Sequence, residues 1–161
     1  MSRRRRYLFI IMAVSAAIAA AVAYSLQTGP GPAAQAGDIM RPPDALAEAR
    51  AGDRLLIDLR TPSEWRETGV PAPARLIDYN DTGGGAAFVR AVLDLVDGDK
   101  SRPLAVICAT GGRSSRAWRD LKDAGFGNVR NVSEGVIGGR NGPGWLAREL
   151  PTRRWSGDDA S

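Results

Sequence analysis

The chain has 161 residues, a single cysteine, no histidine and a net charge of +4. Without histidine there is no His-dependent hydrolytic triad and no His-ligated metal, and one cysteine builds neither a thiolate cluster nor an intramolecular disulfide. Arg3, Arg4, Arg5 and Arg6 account for the whole net charge, and no acidic residue precedes Asp38. Basic and acidic residues balance in the rest of the chain, so a nucleic-acid-binding face is not expected.

The four arginines are followed by an uncharged, mostly apolar run from Tyr7 to Tyr24. A basic start before an apolar run signals export or membrane insertion. Ala34-Gln35-Ala36 offers a small-x-small cleavage site, but far from the apolar run. Residues 1–26 therefore read as a signal anchor in preference to a removed signal peptide. Either way the positive residues stay cytoplasmic and the domain is expected on the periplasmic or extracytoplasmic side. Residues 27–37, rich in Gly, Pro and Ala, read as a flexible tether.

Residues 38–153 read as one domain. Pro42 to Ala51 predicts a helix with Ala45, Leu46 and Ala49 on its buried side, ended by Gly52. Arg54 to Leu59 predicts a strand. Thr61-Pro62-Ser63-Glu64 is a capping box with proline at the first helical position, so a short helix starts there. Pro71-Ala72-Pro73 breaks the chain before a second strand, Ala74 to Ile77. Asp81 to Gly85 holds three consecutive glycines; no Gly-Lys-Ser/Thr follows, so it reads as a flexible loop rather than a phosphate cradle. Phe88, Val89, Val92, Leu93 and Val96 recur at helical spacing. After a polar turn, the apolar run Leu104 to Ile107 predicts a strand buried on both faces. Ala117, Leu121 and Ala124 mark the next helix, with Gly125 as its cap, and Asn128 to Val132 the next strand. Trp118 and Trp145 read as packing residues. Residues 154–161 read as a mobile polar tail. Strands alternating with helices at this length predict an α/β layered fold, with a central, mostly parallel sheet flanked by helices.

Cys108 stands where the third predicted strand ends. A lone cysteine is by default a small buried hydrophobe. Here, however, Ala109, Thr110, Gly111 and Gly112 form a loop whose N–H groups can converge on one point. Arg113 adds a positive charge, and Ser114 reads as the N-cap of the following helix. Backbone amides, a helix start and a guanidinium together favour an anion at Cys108, as a thiolate nucleophile requires. Ligands of such sheets bind beyond the carboxyl ends of the strands. Asp58 and Arg60 end an earlier strand and are expected beside Cys108. Asp58 reads first as a structural carboxylate, and Arg60 either pairs with it or faces an anionic substrate.

The loop Cys108 to Ser114 resembles the C-x-x-G-x-R-S active-site loop of rhodanese-type sulfurtransferases, with Cys108, Gly111, Arg113 and Ser114 matching. Ile57-Asp58-Leu59-Arg60 is similar to the family's early I-D-[VL]-R strand, and Thr61 to Trp65 to the helix after it. Asn131-Val132 with Gly135, Gly144-Trp145 and Leu150-Pro151 resemble its later segments. Where many members carry Gly-His-Ile, this chain reads Gly69-Val70-Pro71.

The resemblance implies a rhodanese-like fold and two-step sulfur transfer. Cys108 takes sulfur from a small anionic donor such as thiosulfate and passes it from a persulfide to cyanide or a thiol. It implies no cofactor and no metal. A C-x5-R phosphatase or arsenate-reductase loop would need arginine where Ser114 stands. A rival reading is a rhodanese-like sulfur carrier or protein-binding module without turnover.

Overall fold

The computed structural model describes residues 36–157. After a 3-10 turn at Ala36–Asp38 come α1 (Pro42–Ala51), β1 (Leu55–Asp58), α2 (Pro62–Thr68), β2 (Val70–Pro71) and β3 (Arg75–Leu76). They are followed by α3 (Gly85–Leu95), β4 (Leu104–Ile107), α4 (Gly112–Asp123), β5 (Val129–Val132), α5 (Gly144–Ala147) and β6 (Thr152–Arg153). The expected leader and all but the end of the expected tether lie outside the described residues. Among the described residues, no helix is long and apolar enough to cross a membrane.

The main sheet has the order β3-β1-β4-β5, and every neighbouring pair is parallel. Its centre is β4, buried along its whole length. Strand alternation sorts the side chains into two layers. Leu56, Ala105, Ile107 and Val132 pack with Ala45, Leu46, Trp65 and Trp145, which come from α1, α2 and α5. Ile57, Leu104 and Val106 pack with Phe88, Val92, Ala117, Trp118 and Leu121 from α3 and α4. Each fully buried aliphatic or aromatic side chain contributes roughly 1.5–3 kcal/mol before entropy is counted. Cys108 continues the alternation of Leu104 and Val106, which turns its side chain toward the α3/α4 layer.

Several boundaries differ from the sequence reading. The strand expected from Arg54 to Leu59 spans Leu55–Asp58. Arg54 instead turns its guanidinium to Glu48, the Leu104 carbonyl and Asn128. The strand expected from Ala74 to Ile77 shrinks to the edge pair Arg75–Leu76. A pairing that the sequence did not announce joins β2 to β6 antiparallel, with Val70 opposite Arg153 and Pro71 opposite Thr152. Proline is tolerated there because the two-stranded ribbon is all edge. The tail expected to have little to bury contributes Trp155, edge-on to Trp65 at 5.6 Å and under the Arg66 guanidinium at 5.1 Å.

One buried ion pair fixes α2 to the sheet. Arg60, 1% exposed, donates from Nε to Asp58 Oδ1 at 3.0 Å and from Nη2 to Asp58 Oδ2 at 2.7 Å. Its remaining donors reach Thr68 Oγ1 at 2.6 Å and the Gly69 carbonyl at 2.7 Å, so Arg60 also satisfies the C-terminal end of α2. Burial pushes the Asp58 carboxyl above its ordinary range, while the hydrogen bonds from Arg60 pull it back. Every guanidinium nitrogen is committed. Of the two roles open to Arg60, the structure takes the pairing one.

Arg60→Met leaves Asp58 buried without its partner and is expected to cost about 3–5 kcal/mol of unfolding free energy in urea denaturation. Adding Asp58→Leu removes the stranded charge and is expected to restore part of that loss. Equal losses in the single and double variants would contradict this account of the pair.

Candidate active site

At the carboxyl edge of the sheet the ends of β1 and β4 lie side by side, with Asp58 opposite Ile107. Cys108 leaves β4 there, 1% exposed, and its sulfur is met by the loop that follows. The Gly111 N–H donates to Cys108 Sγ at 3.2 Å and the Ser114 N–H at 3.4 Å. The thiol lies 3.6 Å from Ser114 Oγ and donates to it, while that hydroxyl donates to the Gly111 carbonyl at 3.1 Å. Two backbone amides thus donate to a single sulfur, an arrangement that favours negative charge there.

The helix after the loop begins one turn earlier than the sequence reading placed it. Gly111 is the N-cap of α4, in the left-handed region at φ +95°. Ser114 is the third helical residue, and it serves the sulfur with its backbone N–H and its hydroxyl rather than capping the helix. The sequence reading had the residue types right and the register wrong, because the positive φ of Gly111 lets the loop close directly into the helix. Gly112 and Thr110 are exposed on the rim, Ala109 is half-buried, and Gly111 is buried beneath them.

A second segment holds the loop from the side. The Val136 N–H donates to the Cys108 carbonyl at 2.8 Å, and the Ile137 N–H to the Ala109 carbonyl at 2.9 Å. Beneath the loop, Asn131 Nδ2 donates to Ser115 Oγ at 3.0 Å, and Ser115 Oγ donates to the Gly111 carbonyl at 2.7 Å. The Gly111 peptide that frames the sulfur is therefore braced by two hydroxyls and, through Ser115, by a buried asparagine.

Arg113 does not stand free. Its Nη1 donates to Glu64 Oε2 at 2.7 Å and its Nη2 to Glu64 Oε1. The same carboxylate accepts the Thr61 N–H at 2.9 Å, closing the capping box of α2. Partial burial would raise the Glu64 carboxyl, but hydrogen bonds from Arg113 and Thr61 outweigh it and hold the group at about 2. The hydrogen bond to Glu64, set against burial, in turn keeps the Arg113 guanidinium more firmly protonated than usual, with the nearby Cys108 adding to the effect.

The rhodanese-like domain model matches this chain over residues 42–138. The chain belongs to the rhodanese-like family. A protein named sulfurtransferase from Allochromatium vinosum is 28% identical over 103 residues, covering 62% of this chain and 78% of that protein. The crystal structure of the Alr3790 protein from Anabaena aligns with a TM-score of 0.56 at 22% identity, covering 74% of this chain and 84% of that one. The polysulfide-sulfur transferase homodimer from Wolinella succinogenes aligns with a TM-score of 0.51 at 27% identity, covering 75% and 82%. The α/β architecture with its parallel central sheet is the one these structures share.

In this rhodanese-like domain the candidate residues divide into two sets. Cys108, Ala109, Thr110, Gly111, Gly112, Arg113 and Ser114 form one continuous loop around the sulfur. Asp58 and Arg60 lie beside it but face each other, and they fix α2 instead of opening to a substrate. Glu64, Ser115 and Asn131 were missed as contributors. Glu64 had a visible signal, since the capping box was legible and its carboxylate sits at the start of a helix that must reach the loop. Ser115 and Asn131 had none beyond being polar residues next to buried ones.

Because Glu64 is held well below the 4.5 of an unperturbed carboxyl, its interaction stabilises the fold fully above that value and is lost as pH falls toward 2. The difference in Tm between the parent and Glu64→Gln is therefore expected to be constant above about pH 5 and to shrink steadily below it. A difference that does not change with pH down to the acid limit of folding would contradict the clamp.

Proposed function

We propose that this domain is a sulfurtransferase that moves a sulfane sulfur through a persulfide on Cys108. The observation that carries the reading is the pair of amides, Gly111 and Ser114, aimed at one sulfur atom at the end of a buried strand. Family membership and the similarity to proteins named sulfurtransferase and polysulfide-sulfur transferase support the same chemistry.

In the first step the Cys108 thiolate attacks the outer sulfur of thiosulfate. A sulfur–sulfur bond forms to Cys108, the sulfur–sulfur bond of the donor breaks, and sulfite leaves with the bonding pair. The thiolate charge ends on the terminal sulfur of the persulfide. In the second step cyanide or a thiolate attacks that terminal sulfur, and thiocyanate or a new persulfide departs as Cys108 recovers its thiolate. Both forms of the enzyme place an anion within reach of the same donors, so one preorganised cradle serves both half-reactions. Arg113, paired with Glu64, holds the loop that carries these donors. No metal or cofactor enters the scheme. The basic start and apolar run of the leader support an extracytoplasmic domain tethered to the membrane by its N-terminal segment.

The test uses the full chain, reduced and then mixed with thiosulfate. Intact-mass measurement is expected to show one added sulfur on the parent and none on Cys108→Ser. Cyanide is then expected to release thiocyanate over repeated cycles. Loading without repeated turnover would make the domain a sulfur carrier, and no loading on the parent would overturn the assignment.

A further inference from the structure

The Glu64–Arg113 pair leaves a question of charge. A doubly charged donor must approach a buried sulfur that becomes an anion, yet the arginine of the loop is already neutralised by a carboxylate. A different residue has to supply free positive charge at the mouth of the site. The segment beside the loop supplies one. Gly139 and Gly142 exchange both backbone hydrogen bonds, N to O at 2.8 and 3.2 Å, and so close a tight hairpin with Arg140 and Asn141 at its tip.

The contacts around that hairpin place it on the rim. Ile137, two residues before it, donates to the Ala109 carbonyl, and a Cβ built on Gly139 would lie 3.9 Å from Thr110 Cβ. The Asn141 amide donates to the Ser133 carbonyl at 3.0 Å and would stand 3.1 Å from a Cβ on Gly111, the residue whose N–H meets the sulfur. The base of the hairpin is held as well. The buried Glu134 accepts the Gly144 N–H at 3.1 Å and binds the Arg148 guanidinium through both oxygens at 2.9 Å. The tip is thus positioned in advance rather than ordered by a ligand. Arg140 is exposed, and its guanidinium has no hydrogen bond or ion pair among the described residues. A second exposed arginine, Arg116, stands on α4 outside the hairpin.

Resting on the sulfur-transfer reading above, we infer that Arg140 is the donor-capturing residue of the site. Its free guanidinium at the hairpin tip draws a small dianionic sulfur donor of the thiosulfate class to the Cys108 loop. Arg113, paired with Glu64, orders the loop instead. A single unscreened guanidinium several ångströms from a dianion is expected to change capture by about five- to tenfold at low salt, and the effect fades as ionic strength rises.

The experiment measures thiosulfate:cyanide kinetics of the full chain with Arg140→Gln, Arg140→Lys and Arg116→Gln at low and high salt. Arg140→Gln is expected to raise KM for thiosulfate about five- to tenfold at low salt with kcat unchanged, and to flatten the salt dependence of kcat/KM. Arg140→Lys keeps the charge and is expected to restore most of both, and Arg116→Gln is expected to change neither. An unchanged KM in Arg140→Gln, or an equal effect in Arg116→Gln, would overturn the inference while leaving sulfur transfer intact. Failure of the parent itself to accept sulfur from thiosulfate would overturn both, and it is read separately by intact mass.

Discussion

The site depends on how closely two stretches of backbone can approach. A Cβ on Gly111 would collide with the Ser133 carbonyl, and one on Gly135 would collide with the Ala109 carbonyl. Each of the two segments above the sheet therefore presents a glycine to the carbonyl of the other. Both glycines also sit at positive φ, +95° and +76°, where other residues are strained. This mutual approach lets Val136 and Ile137 pair with the carbonyls of Cys108 and Ala109. With those carbonyls turned sideways into the second segment, the Gly111 and Ser114 amides face the sulfur.

The same economy governs the charges. Asp58 and Arg60 neutralise each other inside the protein and, through Thr68 and Gly69, fix the far end of α2. The capping box fixes its near end. Held at both ends, α2 has one orientation, and Glu64 meets Arg113 across 49 residues of sequence. Removing a member of such a chain is costly because the groups left behind are buried, even where the whole network contributes little net stability. The loop gains a rigid first helical turn, and the arginine in it is spent on structure. Free charge for an incoming anion then falls to the neighbouring hairpin.

Much of this was legible in the sequence because the signals are local. An apolar four-residue run followed by a glycine-rich loop and a helical stripe announces strand, loop and helix, and Leu104 to Leu121 folds that way. The capping box at Thr61 and Glu64 was equally plain. What could not be read depends on distant parts of the chain meeting. The pairing of Pro71 with Thr152, the edge-on contact of Trp155 with Trp65 and the Glu64–Arg113 clamp have no sequence period. The capping serine was misplaced for another reason. Serine at a helix start ordinarily caps it through its side chain, but here the left-handed Gly111 takes the cap and releases the Ser114 N–H and hydroxyl to the sulfur.

The central claim is that the Gly111 and Ser114 amides hold a sulfur anion on Cys108. The most direct test is a pair of amide-resolved NMR spectra of the reduced and thiosulfate-treated protein, with sulfur loading checked by intact mass. On that claim, the amide protons of the loop, Gly111 and Ser114 foremost, are expected to move downfield on loading and to return when cyanide removes the sulfur. A protein that carries the added sulfur while those two amides stay unmoved would contradict it.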